Sequence, residues 1–280
     1  MTSPSTSVFA PGLFDGHVAL ITGGGSGIGR GIADLLAALG THVVLASRKL
    51  ERVEAAAAEI RAAGGRASGV AVDVRERAQV NEMVDQVKAA HGRIDVLVNN
   101  AAGNFYAPSE SLSENAWKSV IEIDLNGTFF CSQAVYPVMR EQGGGSIVNI
   151  SMTLHYRGWP LMAHATAAKA GVDALTRTLS LEWAKDKVRI NAVAPGPIPT
   201  EGVRKAFTPP PAADGVPDIF AVEKAMEGYA RRMIPLQRWG APADIANMVA
   251  YLASPAASWI TGAIMVVDGG EWLAKPQPQR

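Results

Sequence analysis

Thr22-Gly23-Gly24-Gly25-Ser26-Gly27-Ile28-Gly29 follows a short apolar run, His17–Thr22, and opens a stretch whose apolar residues recur at helical spacing from Ile28 to Leu39. The order is strand, glycine turn, helix. Glycine permits the tight turn, and its missing side chain lets the backbone approach a pyrophosphate at the helix N-terminus. Glycine clusters also make turns that bind nothing, and it is the position between strand and helix that predicts a dinucleotide site here.

Outward from this turn the alternation continues. Strands are expected at His42–Ala46, Ala67–Val74, Ile94–Asn99, Ser146–Ser151, Val188–Val193 and Ala263–Val267. Helices are expected at Arg48–Ala63, Glu76–His91, Ser113–Glu141, Met162–Ala184, Ile219–Arg232 and Ala243–Ala253. Strands that alternate with helices imply right-handed βαβ units and a mostly parallel sheet. The strands are nearly all apolar, as a sheet covered on both faces requires. The expectation is α/β: one Rossmann-type, doubly wound domain over residues 15–280, with helices on both faces, behind a flexible Ser/Thr/Pro-rich N-terminus of residues 1–14.

Composition narrows the class. The 280 residues are 48% hydrophobic, and 26 basic side chains balance 26 acidic ones, which argues against a nucleic-acid-binding surface or a disordered chain. A single cysteine, Cys131, excludes an intramolecular disulfide and a thiolate metal cluster. No apolar run approaches the ~20 residues of a membrane span, and MTSPSTSVFAPGLF has no basic n-region of a signal peptide. The C-terminus Gln277-Pro278-Gln279-Arg280 lacks a Ser-Lys-Leu-type address. These features predict a cytoplasmic protein that uses neither membrane, metal nor nucleic acid.

The end of the second strand selects the dinucleotide. An acidic residue there would bind a ribose 2′-hydroxyl, whereas the sequence reads Ala46-Ser47-Arg48-Lys49. A hydroxyl and two cations suit a 2′-phosphate, which predicts NADP(H). Solvated charges opening a helix are the alternative for Arg48 and Lys49. Asp73, beside Val74, is expected to accept from the adenine amino group or to cap the next turn.

Over about Gly16–Leu273 the chain resembles the short-chain dehydrogenases/reductases. The resemblance rests on Thr22–Gly29, Asn99-Asn100-Ala101-Ala102-Gly103, Lys169, Pro195-Gly196-Pro197-Ile198 and Asp268-Gly269-Gly270. It implies that Asn100, Ala101 and Ala102 lie beside the adenosine half and Pro195–Ile198 against the nicotinamide. The family's usual chemistry uses Tyr-x-x-x-Lys with a Ser and an Asn. Here the tyrosine position is Ala165, the Asn position is Asp124, and the Ser position falls near Met152, so Lys169 alone survives in kind.

The stretches Asn99–Phe105, Leu112–Trp117, His164–Ala170 and Pro195–Gly202 are similar to the 2,4-dienoyl-CoA reductases, most closely the peroxisomal type, which also lacks that tyrosine. The resemblance implies that Lys169 holds the nicotinamide ribose, Asp124 positions a proton-delivering water and Asn104 donates to the thioester oxygen. It implies further that Phe105 walls the acyl chain and that Ser113, Glu114 and Asn115 contact the CoA of an acyl-CoA thioester. Arg204 and Lys205 are candidates for its phosphates. The Pro-rich Thr208–Pro217 falls where the family places its substrate lid, expected around residues 200–232. His155 and His164 have no carboxylate at a telling spacing, and Tyr156 lies out of register with the tyrosine of the mitochondrial type, whose position is Leu154. A homotetramer is implied by the family alone. The alternatives are a trans-2-enoyl-CoA reductase or other short-chain reductase, and a catalytically silent NADP-binding scaffold.

Overall fold

A computed structural model describes residues 8–200, 203 and 219–274. Its centre is a seven-stranded, all-parallel sheet in the order β3-β2-β1-β4-β5-β6-β7. The strands are β1 (Val18–Thr22), β2 (His42–Ser47), β3 (Arg66–Ala71), β4 (Val96–Asn99), β5 (Gly145–Ile150), β6 (Val188–Pro195) and β7 (Ile264–Val267). The helices are α1 (Gly27–Ala38), α2 (Leu50–Ala62), α3 (Arg77–His91), α4 (Glu114–Ile121), α5 (Gly127–Glu141), α6 (Ala163–Trp183), α7 (Ile219–Met233) and α8 (Pro242–Ala253). Every residue of β1 and β4 is buried, because helices cover both faces of the sheet.

Two apolar cores follow. On one face Ile32 and Leu36 of α1, Val53 of α2 and Val249 of α8 pack on Ile21, Val43 and Val98. On the other, Val80 and Val84 of α3, Val135 of α5 and Trp183 of α6 pack on Leu20, Leu97 and Ile147. The chain leaves β1 toward β2 on one side and enters β4 on the other, so a crevice opens where the strand order reverses, at the carboxyl ends of β1 and β4.

Three local differences from the sequence expectation have physical causes. The third strand stops at Ala71, so Asp73 lies in the loop beyond it. The long helix expected from Ser113 to Glu141 is interrupted by a π-helical turn, Glu122–Asn126, between α4 and α5. Such a turn inserts a residue into the helical ladder and is frequent at functional sites. The chain is already packed before residue 15, the expected start of the folded domain: Phe14 is 1% exposed and its amide donates to the Leu39 carbonyl at 2.9 Å. Polar composition describes how a segment hydrates, not the apolar side chains, Phe14 with Phe9 and Leu13, that anchor its end. Residues 1–7 and the Pro-rich Thr208–Pro217 lie outside the described residues.

Cys131 sits in α5 at 0% exposure, where burial pushes its thiol up to about 12. The native protein should therefore resist a thiol reagent at about pH 8 and react only after denaturation. Rapid labelling of the folded chain would contradict this burial.

Candidate active site

The crevice at the strand ends is a cleft of about 1070 Å³. Its first wall is the glycine turn: Gly23, Gly25, Ser26, Gly27 and Ile28 line it. Gly23 turns the chain with φ +66°, and a side chain on Gly29 would meet the Gly23 carbonyl and the Asn100 amide at 2.5 Å. Thr22 and Gly29 thus support the turn from behind. The Thr22 hydroxyl donates to the Val98 carbonyl at 3.3 Å and accepts from the amides of Asn100 and Ala101 at 3.0 Å each. The Asn100 side chain donates to the carbonyls of Thr22 and Gly23 at 3.0 and 3.1 Å. These bonds tie the end of β4 to the turn. Ser26 caps α1 without a side-chain hydrogen bond, and no acidic residue sits in the first turn, so the positive end of the helix faces the cleft. The donors, the glycine turn and the free helix end fit the pyrophosphate of a dinucleotide.

Next along the rim come Ser47, Arg48 and Lys49, then Asp73 and Val74, all lining the cleft. The Ser47 hydroxyl is bonded locally, donating to the Lys49 carbonyl at 3.1 Å. Asp73 is engaged too. The Arg75 guanidinium reaches both its oxygens, with Nε at 2.9 and 3.1 Å and Nη2 at 2.5 Å, and holds the carboxyl below the usual carboxylate range. Asn100, Ala101 and Ala102 line the middle of the cleft, and Pro195–Ile198 line the side after β6.

At the centre lie Asp124 and Lys169, 1% and 4% exposed. The Lys169 ammonium donates to the Ile150 carbonyl at 2.8 Å and stands 3.4 Å from Asp124 Oδ2. The Gly103 amide donates to Asp124 Oδ1 at 2.7 Å. Asp124 belongs to the π-helical turn, whose carbonyl at this residue accepts the Thr128 hydroxyl at 2.7 Å. A buried polar chain sets the surrounding elements. Ser132 of α5 bonds the Thr128 carbonyl at 2.7 Å, and Asn99 of β4 donates to Ser132 at 2.9 Å and to Asn149 of β5 at 2.8 Å. Asn149 in turn donates to Thr176 of α6 at 2.9 Å. Through it the helix bearing Lys169 and the turn bearing Asp124 are referred to the same two strands.

Asn104 lines the cleft beside this pair. Phe105 is not among the cleft-lining residues; its ring sits edge-on to His164 with centroids 4.4 Å apart, and its neighbour Tyr106 takes the place on the wall. Ser113 caps α4, its hydroxyl accepting the Ala116 amide at 3.2 Å, Glu114 pairs with Lys118 at 2.5 Å, and Asn115 is exposed. None of the three reaches the cleft wall. Arg204 and Lys205 fall outside the described residues. Ala165 is fully buried against Val120 and Met162. The Ser151 hydroxyl is committed to Asp173 at 2.6 Å, and the same carboxylate takes His155 at 2.9 Å. Tyr156 packs on Trp272 at 5.3 Å, and burial pushes its phenol up to about 12.

Comparison with known proteins accords with this geometry. The family profile described as "Enoyl-(Acyl carrier protein) reductase" matches residues 23–271. The chain belongs to the short-chain dehydrogenase/reductase family. It is 46% identical to a protein of Danio rerio named "Peroxisomal 2,4-dienoyl-CoA reductase [(3E)-enoyl-CoA-producing]", over 96% of this chain and 85% of that one. It is also 46% identical to the protein of that name from Pongo abelii, over 96% and 88%. Among solved structures it superposes on the citronellol catabolism dehydrogenase of Pseudomonas aeruginosa PAO1 with a TM-score of 0.81 and 38% identity, covering 95% of this chain and 99% of that one. Family membership implies a nicotinamide cofactor, in keeping with the glycine wall.

Several wall residues were not predicted to line the site, although Met152 and Leu154 stand at family motif positions. Met152, Leu154, Trp159 and Met162, from the segment between β5 and α6, form an apolar side, faced by Tyr229 and Trp239 around α7 and by Glu271 after β7. Periodicity assigns such residues to core or loop. Only the folded chain brings three loops from distant positions together. Arg52, one turn into α2, joins Arg48 and Lys49, a spacing that the sequence did display.

Proposed function

We propose that this chain reduces 2,4-dienoyl-CoA thioesters to 3-enoyl-CoA with NADPH as cofactor. One observation carries the reading: a buried Asp124–Lys169 pair faces the cleft of a chain 46% identical to a 2,4-dienoyl-CoA reductase. When bound along the glycine wall, the nicotinamide nucleotide supplies a hydride to the far carbon, Cδ, of the conjugated thioester. Ser47, Arg48 and Lys49, with Arg52 behind them, offer a hydroxyl and cations for a 2′-phosphate, and no carboxylate stands in that group.

Negative charge then spreads to the thioester oxygen, and a proton must reach the α-carbon. Ketone reduction needs an acid at the oxygen bonded to the carbon that receives hydride; here the proton goes to the α-carbon, remote from Cδ, so Ala165 at the usual tyrosine position is tolerated. Lys169, fixed by Ile150, supplies positive potential in a buried setting. Asn104 offers an amide to the thioester oxygen. Asp124, held by the Gly103 amide and Lys169, positions a water that delivers the proton.

The description of the family profile favours a 2-enoyl thioester as a second reading. The proposal extends to an acyl-CoA lid around residues 200–232, of which α7 is the described part, and to a cytoplasmic homotetramer. Leu181 on α6 and Trp259 before β7, 81% and 98% exposed, are apolar groups that such an assembly would cover. No helix among the described residues is long and apolar enough to cross a membrane.

The deciding assay follows NADPH absorbance with a short 2,4-dienoyl-CoA, a 2-enoyl-CoA and a 3-keto thioester in parallel. Oxidation with the dienoyl thioester alone is expected, with kcat/KM for NADPH exceeding that for NADH by at least about tenfold. Turnover of the 2-enoyl thioester instead would move the substrate, and preference for NADH would remove the 2′-phosphate from the reading. NADPH binding without any turnover would leave a scaffold.

A further inference from the structure

The substrate side of the cleft holds two polar groups that the reductase chemistry does not use. Glu271, in the turn after β7, is 1% exposed, and Tyr229 comes from α7; both line the cleft. The Tyr229 hydroxyl donates to Glu271 Oε1 at 3.1 Å. Arg157 Nη2 stands 3.9 Å from the same oxygen, beyond hydrogen-bond reach, and donates instead to the Glu271 carbonyl at 3.1 Å. Glu271 Oε2 is buried and has no hydrogen-bond partner among the described residues. Burial raises the proton affinity of this carboxyl, against the opposing pull of Tyr229 and Arg157, so Oε2 is a hydroxyl donor when the proton is held and an acceptor when it is not.

Position makes the pair relevant to substrate. Glu271 follows the edge strand β7 and Arg48 follows β2, next to the opposite edge, while Lys169 bonds the end of β5 between them. The wall nearest the β5 end is apolar, formed by Met152, Leu154, Trp159 and Met162. An acyl chain lying along that wall meets hydrocarbon there, while Glu271, which also lines the cleft, holds its unpaired oxygen beneath the surface.

We propose that Glu271 and Tyr229 form a hydrogen-bonding point in the acyl part of the cleft, which selects thioesters carrying a hydroxyl or similar group along the tail over equally long unbroken hydrocarbon chains. The inference rests on the reductase reading, which places an acyl thioester in this half of the cleft. Its physical basis is an asymmetry. A ligand hydroxyl relieves the unpaired oxygen, whereas a methylene leaves it buried and unmet. Sites built to hydrogen-bond a substrate hydroxyl discriminate strongly against the analogue that lacks it.

Trp159 and Trp239 line the cleft, so intrinsic fluorescence of the whole protein reports binding without turnover. The probes are saturated medium-chain acyl-CoAs in matched pairs, one methyl-terminated and one ω-hydroxylated at each length. At one or more lengths the hydroxylated member should bind about tenfold tighter to the wild type. Glu271→Leu should abolish that preference, and Tyr229→Phe should reduce it. Equal binding of both members at every length, or a preference that survives Glu271→Leu, would overturn the inference. If the leucine variant fails to fold, Glu271→Gln and the wild-type comparison decide the matter. Dienoyl-CoA turnover is measured alongside. A hydroxyl preference without turnover would sink the reductase reading and leave this one standing, and turnover without preference would do the reverse.

Discussion

Lys169→Ala should lower kcat/KM for dienoyl-CoA by at least about 10³-fold, because it removes the cation buried at the proposed reacting centre. The Lys169 ammonium is held by the Ile150 carbonyl at 2.8 Å and by Asp124 at 3.4 Å, so it cannot be replaced by a mobile surface charge. The substitution should also weaken nucleotide binding, since the same ammonium is expected to hold the nicotinamide ribose. A second effect is structural. Asp124 is 1% exposed, and without its partner it retains the Gly103 amide alone. Breaking a buried pair from one side costs about 3–5 kcal/mol. Activity is therefore compared with the melting curve. A folded variant with less than about tenfold loss of kcat/KM would remove Lys169 from the chemistry.

Asp124→Asn puts back the residue type that the wider family carries at this position, and it should cost about 10²–10⁴-fold in kcat. The side chain keeps its shape, and its oxygen can still accept from Gly103. What changes is the atom facing Lys169. An amide nitrogen there would set two donors 3.4 Å apart where a carboxylate accepted. The amide also cannot relay a proton to a bound water. Because the loss falls on proton delivery, KM for the thioester should move little while kcat drops. Steady-state kinetics with a dienoyl-CoA separates these parameters. A variant with full kcat would assign the proton to another group, with Glu271 the next buried carboxyl in the cleft.

How much of this could be read from the chain depends on how local each feature is. The glycine turn, the apolar strands and the helical spacing are short-range patterns, and they predicted the strands and helices assigned above to within a few residues, except that α4 and α5 were expected as one helix. Lys169, Asp124 and the Pro195–Ile198 stretch were legible through family motifs, and all lie on the cleft. The π-helical turn was not legible, because Glu122–Asn126 has ordinary helical composition. Its cause is tertiary: Asp124 bonds Gly103 and Lys169, on different elements, and those bonds reward the distortion. Phe105 was expected on the acyl wall from the resemblance of Asn99–Phe105, yet its ring sits against His164, and Tyr106 lines the cleft instead.

By itself, then, the sequence determined a doubly wound parallel sheet and a dinucleotide turn at its switch point, while Lys169 and Asp124 were singled out by family resemblance. The sheet and the turn follow from backbone freedom, hydrophobic period and residue spacing, which act over a few residues. Tertiary structure alone decided which side chains share the cleft. It brought Tyr229 to Glu271 across α7 and the turn after β7, and it left one carboxylate oxygen buried without a partner among the described residues. Long-range packing selects such pairs, and no local pattern encodes the burial of an atom whose neighbours are distant in the chain.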